Sequence, residues 1–423
     1  MLQTLLYIPA RVFGIPVFGI GLLLAVWLFF GVGLLIWQGL RRGWNADTWS
    51  YVPLVAIVAV AIAWILPALR EEAGLPIRSY GVMLLVAVLA ATGLAMRRAR
   101  RVGVDPDLIL TLIFWMFVSG IVGARTFYVV EYWPQFQHAR AWDTLVAVIN
   151  VAKGGLVVYG SLLGGTLGLI VFVVRSRLRL LAILDLMIPS VVLGMAIGRI
   201  GCLLNGCCFG GACDLPWAVT FPWNSPPHQH QVEHGEVFLH GLKFRTGPDG
   251  AVVIAEVERN SPASRAGLAP GQTIVGVGRV LVDRSADVEH LLLELHNPGV
   301  TVSIATTDPP ARHTWTLAGQ PPRSLAVHPT QVYSAINEFL LCLLLLAYDA
   351  FRRRDGELFA LFLTLYPLAR FLIEMLRTDE GPALGTPFTI SQIVSLLLLI
   401  LAAGFWWYII RRPRGVTLQP VER

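Results

Sequence analysis

The segment LAILDLMIPSVVLGMAIGRIGCLLNGCCFG, residues 181–210, decides the class of this protein. Asp185 is the only charged residue in its largely apolar run from Leu181 to Ile197, which approaches the ~20 residues needed to cross a hydrocarbon core. The run then closes on Arg199, Asn205 and three of the chain's five cysteines. Two readings of that closing stretch compete. One is a metal or disulfide cluster built on cysteine; the other is a polar pocket for an anionic group, with the cysteines as packing.

Working outward, the same character recurs along the chain. Of 423 residues, 55% are hydrophobic and 14% charged, and the mean hydropathy is +0.65, far above a soluble domain. Apolar windows lie near 13–38, 51–69, 79–96, 108–130, 156–174, 181–204, 332–350, 357–376 and 389–410, about nine candidate membrane helices. The first is too long for a signal-peptide core and runs into WQGLRRG, so it reads as a retained span. The fold class expected is therefore an α-helical polytopic membrane protein.

Basic residues set its orientation. Arg41 and Arg42, Arg97 to Arg101, Arg175 to Arg179, Arg352 to Arg354 and Arg411 to Arg414 follow every odd-numbered span. The positive-inside rule places them in the cytoplasm, with the N-terminus outside and the C-terminus inside. The net charge of +6 is then topology signal and leaves little for a nucleic-acid partner.

Hydropathy falls between about 222 and 325. Period-two apolar runs at 251–257, 273–282 and 300–306, with a helical pattern at 286–295, predict a small β-rich domain. NSPASRAGLAPGQTIVGVG, residues 260–278, resembles a PDZ domain, and HGLKF, residues 240–244, stands where such a domain's carboxylate-binding loop lies. An extended peptide ligand and a purely structural insertion both remain open.

A PDZ-like insert among membrane spans suggests an intramembrane metalloprotease, but no HExxH exists to hold zinc and activate water. The His228, His230, His234 cluster reads as a solvated linker. Cys202, Cys207, Cys208 and Cys213 follow no common paired zinc pattern; Cys202 and Cys207 would not share a helical face, and a bridge of the Cys208–Cys213 kind or simple packing suits an external compartment. Neither metal nor cofactor is expected. Arg125, Arg199 and Arg370 all lie within spans. One such arginine suggests snorkelling or an ion pair, with Glu131 or Glu374 for instance. Three toward the external halves favour an anion site, since a guanidinium fork matches phosphate and the abundant anion at that depth is a lipid head group.

GRIGCLLNGCCFG (198–210) with PWAVTFP (216–222), GGLVVYGSLLGG (154–165), HPTQVYSAINE (328–338) and YPLARFLIEMLR (366–377), in that order, resemble the prolipoprotein diacylglyceryl transferases over roughly 74–222 and 325–411. The resemblance implies a seven-span core in a bacterial inner membrane. That core moves the diacylglyceryl group of phosphatidylglycerol onto the lipobox cysteine of a prolipoprotein, forming a thioether and releasing glycerol 1-phosphate. It implies catalytic Arg199 and Arg370, with Tyr159 and His328 as candidates for the proton route. It implies substrate contacts at Tyr80 (in RSYGVML), Arg125, Asn205, Gly210, Gly160 and Glu374. Two departures stand out: Tyr159 occupies a position where some members carry histidine, and Cys202 one where asparagine is frequent. The resulting organisation is two additional N-terminal spans (1–73), a core in two parts (74–235 and 321–411), a PDZ-like periplasmic insert (236–320) and a cytoplasmic tail (412–423). The competing reading is a non-catalytic membrane scaffold that binds peptide or lipid.

Overall fold

The computed structural model describes residues 3–418 except 44, 72–73, 138–139, 151–153, 156, 248–249, 283, 308 and 320–321. The expected boundaries at 73 and 320, and the last five residues of the expected tail, lie outside the described residues. The chain divides into two compact units, Met1–Met83 and Leu84–Arg423.

In the first unit, β1 (Thr4–Ile8) pairs antiparallel with β4 (Leu75–Arg78). Between them lie a hairpin of β2 (Arg11–Val12) and β3 (Ile15–Pro16), then α1 (Leu22–Arg42) and α2 (Ala46–Val60). The first span starts at Leu22 rather than near 13 because Phe13 and Gly14 turn the hairpin with φ of 51° and 82°. From α2 a π turn at Ala61–Ile65 leads into α3 (Leu66–Ala68). Pro67 has no N–H to give the Ile62 carbonyl, and Gly19 donates to that carbonyl instead at 3.3 Å. α4 (Ser79–Arg101) begins in this unit and continues into the second.

The second unit adds α5 (Pro106–Glu131), α6 (Ala141–Ile149), α7 (Val158–Arg175), α8 (Leu180–Asn205) and, beyond a loop, α9 (Pro226–Glu233). The β-rich insert follows, and then α12 (Thr330–Tyr348), α13 (Glu357–Glu374) and α14 (Ile390–Ile410). Eight helices among the described residues are long and apolar enough to cross a membrane. The remaining expected span is the helix α13, whose Glu357, Arg370 and Glu374 keep it from qualifying by composition.

Packing here cannot rely on a hydrophobic force between helices, because lipid is as apolar as leucine; small residues let backbones approach instead. α5 and α7 do this. A Cβ on Gly123 would sit 2.4 Å from the Gly160 carbonyl oxygen, and one on Gly164 would sit 2.3 Å from that of Ser119.

Where α4 and α12 end and α8 begins, a buried ionic cluster ties the bundle together. Pro189 deprives the Asp185 carbonyl of its helical donor, and Arg98 Nη1 supplies one at 2.9 Å while also reaching the Leu186 carbonyl. Arg98 pairs with Asp349 at 2.8 Å and Arg352 with Asp185 at 3.1 Å, the Asp185 side chain being wholly buried. Asp185 also accepts from the Gly356 and Phe359 amides, so the α12–α13 turn is fastened to α8.

The insert is one antiparallel sheet ordered β10-β9-β7-β6-β5, with β8 beside β7. Its strands are β5 (Leu242–Thr246), β6 (Val252–Val257), β7 (Thr273–Val277), β8 (Val280–Leu281), β9 (Thr301–Thr307) and β10 (Pro310–Thr316). Helices α10 (Pro262–Arg265) and α11 (Ser285–Glu294) complete it. Ile254, Ile274, Leu292 and Ile304 are fully buried in its core. The predicted runs coincide with β6, with β7 and β8, with β9 and with α11. β5 and β10 are additions, and β5 forms one edge of the sheet.

Candidate functional site

The end of α8 carries Arg199, which meets the first half of α12 and the second half of α13. Arg199 Nε donates to Glu338 Oε1 at 3.1 Å, with 17% of the arginine side chain and 2% of the glutamate exposed. From α13, the Tyr366 hydroxyl lies close to the Arg199 guanidinium and in the field of both Glu338 and Arg370. Glu338 feels both arginines. Arg199 and Arg370, far apart in the chain, therefore belong to one cluster.

Arg370 is held from its other side. Its Nη2 donates to Glu374 Oε2 at 2.8 Å and to Ser391 Oγ at 3.0 Å. Glu374, with none of its side chain exposed, also accepts from Arg377 Nη1 at 3.1 Å and from Thr389 Oγ1 at 3.3 Å. Arg377 grips Asp379 through two nitrogens, each at 2.8 Å. The sequence resemblance implied a substrate contact at Glu374; the geometry makes it the fixed acceptor that aims Arg370 and Arg377. Two buried charged atoms in the cluster have no hydrogen-bond partner, Arg370 Nη1 and Glu338 Oε2. An unpaired buried group of this kind costs several kcal/mol unless a further group satisfies it.

The signature turn packs over this cluster. α8 stops at Asn205 because Gly206 takes a left-handed φ of 88° and its amide, with that of Cys207, returns to the Cys202 carbonyl. That reversal brings the Cys202, Cys207 and Cys208 thiols within 4.8 Å of one another, contrary to the expectation from a continuing helix. All five cysteines are free. The Asn205 side chain meets the Cys207 thiol. Thr330 Oγ1 and Gln331 Nε2 donate to the Cys208 and Cys207 carbonyls at 2.6 and 2.7 Å. Gly210 donates its amide to the His328 carbonyl and Gly211 donates to that of Leu376, and a Cβ at Gly210 would lie 2.6 Å from that of His328. Gly210 is thus required for close approach. His328 braces the same crossing, with Nδ1 3.4 Å from the Tyr333 hydroxyl, which accepts from Trp217 Nε1 at 2.8 Å.

The other sequence-derived residues stand elsewhere. All five N–H groups of Arg125 are directed at backbone carbonyls: Nε at Val148, Nη1 at Gly154 and Gly155, Nη2 at Ala147 and Asn150, at 2.7 to 3.0 Å. It caps the C-terminus of α6 and has no donor left for phosphate. Gly160 is buried in the α5–α7 contact, where a Cβ would lie 2.5 Å from the Gly123 carbonyl oxygen. Tyr159 is half-exposed near the start of α7. Tyr80 is the second residue of α4 and lies in the first unit. His228, read from sequence as part of a solvated linker, is 1% exposed on α9, its ring 4.5 Å from that of Trp223.

Sequence reasoning passed over Glu338, Tyr366 and Arg377, although all three stand inside motifs it singled out. The signal was available. Glu338 is the only acidic residue within α12, and a lone carboxylate in one span calls for a cation in another. Arg370, Glu374 and Arg377 are spaced for one helical face.

Comparison with known proteins bears on what this arrangement does. Residues 67–408 match the family model described as prolipoprotein diacylglyceryl transferase. A phosphatidylglycerol–prolipoprotein diacylglyceryl transferase of Rhodopirellula baltica is 32% identical over 94% of this chain and 87% of its own length. Proteins of the same name from Synechococcus elongatus (35% identical over 41% of this chain and 58% of theirs) and Clostridium tetani (24% over 78% and 92%) are also similar. With most of its length matched, and with the arginine cluster built from the segments that carry the match, the chain belongs to the prolipoprotein diacylglyceryl transferase family.

Proposed function

We propose that the Arg199–Arg370 cluster is where this enzyme holds the phosphate of phosphatidylglycerol while the diacylglyceryl group passes to a prolipoprotein cysteine. The observation that carries the assignment is the buried, unpartnered Arg370 Nη1, on an arginine whose charge reaches the same Glu338 that Arg199 pairs with. A phosphodiester oxygen supplies the missing acceptor. The chemistry then follows from charge. The thiol sulfur attacks the glycerol carbon, its C–O bond to phosphate breaks, and negative charge grows on the departing glycerol 1-phosphate. Guanidinium donors fixed beforehand by Glu338 and Glu374 stabilise that charge without reorganising, an effect worth about 3–4 kcal/mol per donor.

The proton of the attacking thiol must also leave. Glu338 Oε2, buried and unbonded within the cluster, is the acceptor this reading assigns. Tyr159 and His328 are given no such role, because the one lies on α7 and the other braces the signature turn. Asn205 and Gly210 act by shaping that turn.

The basic ends of α4, α7, α12 and α14 face the cytoplasm in this reading, and the buried Arg98–Asp185–Arg352 cluster lies at that end. The arginine site and the insert then open on the periplasmic face of the inner membrane. Residues 1–73 are additional spans, 236–320 the insert and 412–423 the cytoplasmic tail. No strand pairs with the outer edge of β5 among the described residues, so an extended segment of a secreted preprotein can add there, as peptides do in PDZ domains. α11 flanks that edge through Thr246–Ser285 at 3.3 Å and His240–Leu292 at 2.9 Å, contacts such a peptide would compete with.

Purified protein in phosphatidylglycerol vesicles with a lipobox peptide should form thioether detectable by mass spectrometry, and Arg199→Ala and Arg370→Ala should abolish it. Unchanged turnover in both variants would remove the phosphate site. Deleting 236–320 in cells should slow processing of some preproteins; unchanged processing of all would remove the recruiting role.

A further inference from the structure

The site chemistry above uses none of the three thiols gathered at the signature turn. We infer that Cys202, Cys207 and Cys208 form a three-thiolate site for a soft divalent cation of the zinc class. Three observations point there. The sulfur atoms lie within 4.8 Å of one another, and Zn–S bonds of about 2.3 Å in a tetrahedral arrangement would draw them to roughly 3.8 Å. The loop is already folded for it: Gly206 reverses the chain onto Cys202, Cys208 holds a positive φ of 59° that a non-glycine residue rarely adopts, and α12 clamps both neighbouring carbonyls. The number of thiols is odd. A disulfide would use two and strand one, whereas three thiolates with one open position suit zinc, and soft sulfur donors select such ions over magnesium or calcium.

Charge supports the same ligand set. Three thiolates around a divalent ion carry a net charge of −1. Arg199 lies in the field of Cys202 and Cys208, and Arg377 in that of Cys208. The thiols are half-buried, so an ion can reach them. Cys213 and Cys342 stand outside the group. The bound ion would fasten the end of α8 to the turn that α12 holds, next to Arg199. Binding releases up to three thiol protons and requires no oxidant.

The test uses the full chain, reduced and purified in detergent, titrated with Co²⁺ and Cd²⁺ as spectroscopic probes. One equivalent per chain should bind with thiolate-to-metal charge-transfer absorption. Cys202→Ser and Cys208→Ser should lose that absorption, while Cys213→Ser and Cys342→Ser keep it. A second measurement needs no variant: Zn²⁺ should slow alkylation of Cys202, Cys207 and Cys208 by at least about tenfold, read by peptide mapping, and leave Cys213 unaffected. Absence of stoichiometric binding by the reduced chain, equal binding by Cys202→Ser, or no protection from alkylation would overturn the assignment. So would a disulfide among the three in the metal-treated protein. None of these readouts depends on transfer activity.

Discussion

Replacing Arg199 and Glu338 singly and together separates what the pair does for the fold from what it does for the reaction. Glu338 is 2% exposed and its single contact to Arg199 is 3.1 Å. Arg199→Met therefore leaves a carboxylate buried without its cation, and breaking a buried pair in this way costs about 3–5 kcal/mol. Glu338→Leu strands Arg199 by the same logic, somewhat less because 17% of that side chain is exposed. The double variant Arg199→Met/Glu338→Leu fills the space with apolar groups. Stability should return to within about 1–2 kcal/mol of the parent, since apolar replacement of a buried pair is often neutral. Transfer should not return, because the guanidinium that meets the phosphate and the carboxylate assigned the thiol proton are both gone; a loss of at least about 10²–10³-fold is expected from the donor alone. Thermal unfolding in detergent reads the first quantity and thioether formation per folded molecule the second. A double variant that regains transfer along with stability would refute the reasoning and leave Arg199 a structural cation.

Further outcomes follow from other parts of the molecule. Arg125→Met should destabilise by about 2–3 kcal/mol, because several part-buried carbonyls lose a charged donor at once, and should expose residues 140–150 to protease; a parent-like melt would contradict the capping role. Gly123→Leu should prevent α5 and α7 from packing, given the 2.4 Å approach of its Cβ position to the Gly160 carbonyl oxygen, and should give little folded protein; normal yield and melting would contradict the close contact. Burial, with repulsion from His240, pushes the pKa of His228 from 6.5 down to about 4. The unfolded chain therefore takes up the proton first, so this contribution is intact above pH 6.5 and is lost as pH falls toward 4, by roughly 3 kcal/mol. His228→Leu should flatten the pH dependence of urea stability over that window, and an unchanged slope would show that the imidazole is not held neutral.

Much of this molecule was legible before any coordinates. Periodicity and length located the membrane helices α4, α5, α7, α8, α12, α13 and α14, because a span is fixed by the thickness of the hydrocarbon and by the need to satisfy every backbone group internally. It failed locally at residues 13–21, where an apolar composition hides a tight hairpin. Arg199 and Arg370 could be singled out because charge inside a span is costly. Their partners were harder to see: Glu338 and Tyr366 become informative only once α12 and α13 are known to face α8. Arg125 shows the opposite limit. An arginine in a span resembles a phosphate ligand, but the carbonyls it caps belong to the end of α6 and the segment after it, and a nine-residue helix is too short to show in a span-length window. Arg98 and Arg352 read as topology signals and proved also to be buried structural cations, since nothing local says that Pro189 would free a carbonyl for one of them. The cysteine cluster escaped because its spacing is judged on a straight helix, and Gly206 bends the chain back.

The most direct test of the phosphate site is the transfer rate of Arg370→Lys measured beside its melting temperature. Lysine keeps a positive charge for Glu374, which accepts from Arg370 at 2.8 Å, but it cannot present the second guanidinium nitrogen that stands buried and unpartnered. The account predicts a melting temperature close to the parent's and kcat/KM for phosphatidylglycerol reduced about 10²–10³-fold. Transfer at the parental rate by a well-folded Arg370→Lys enzyme would contradict it.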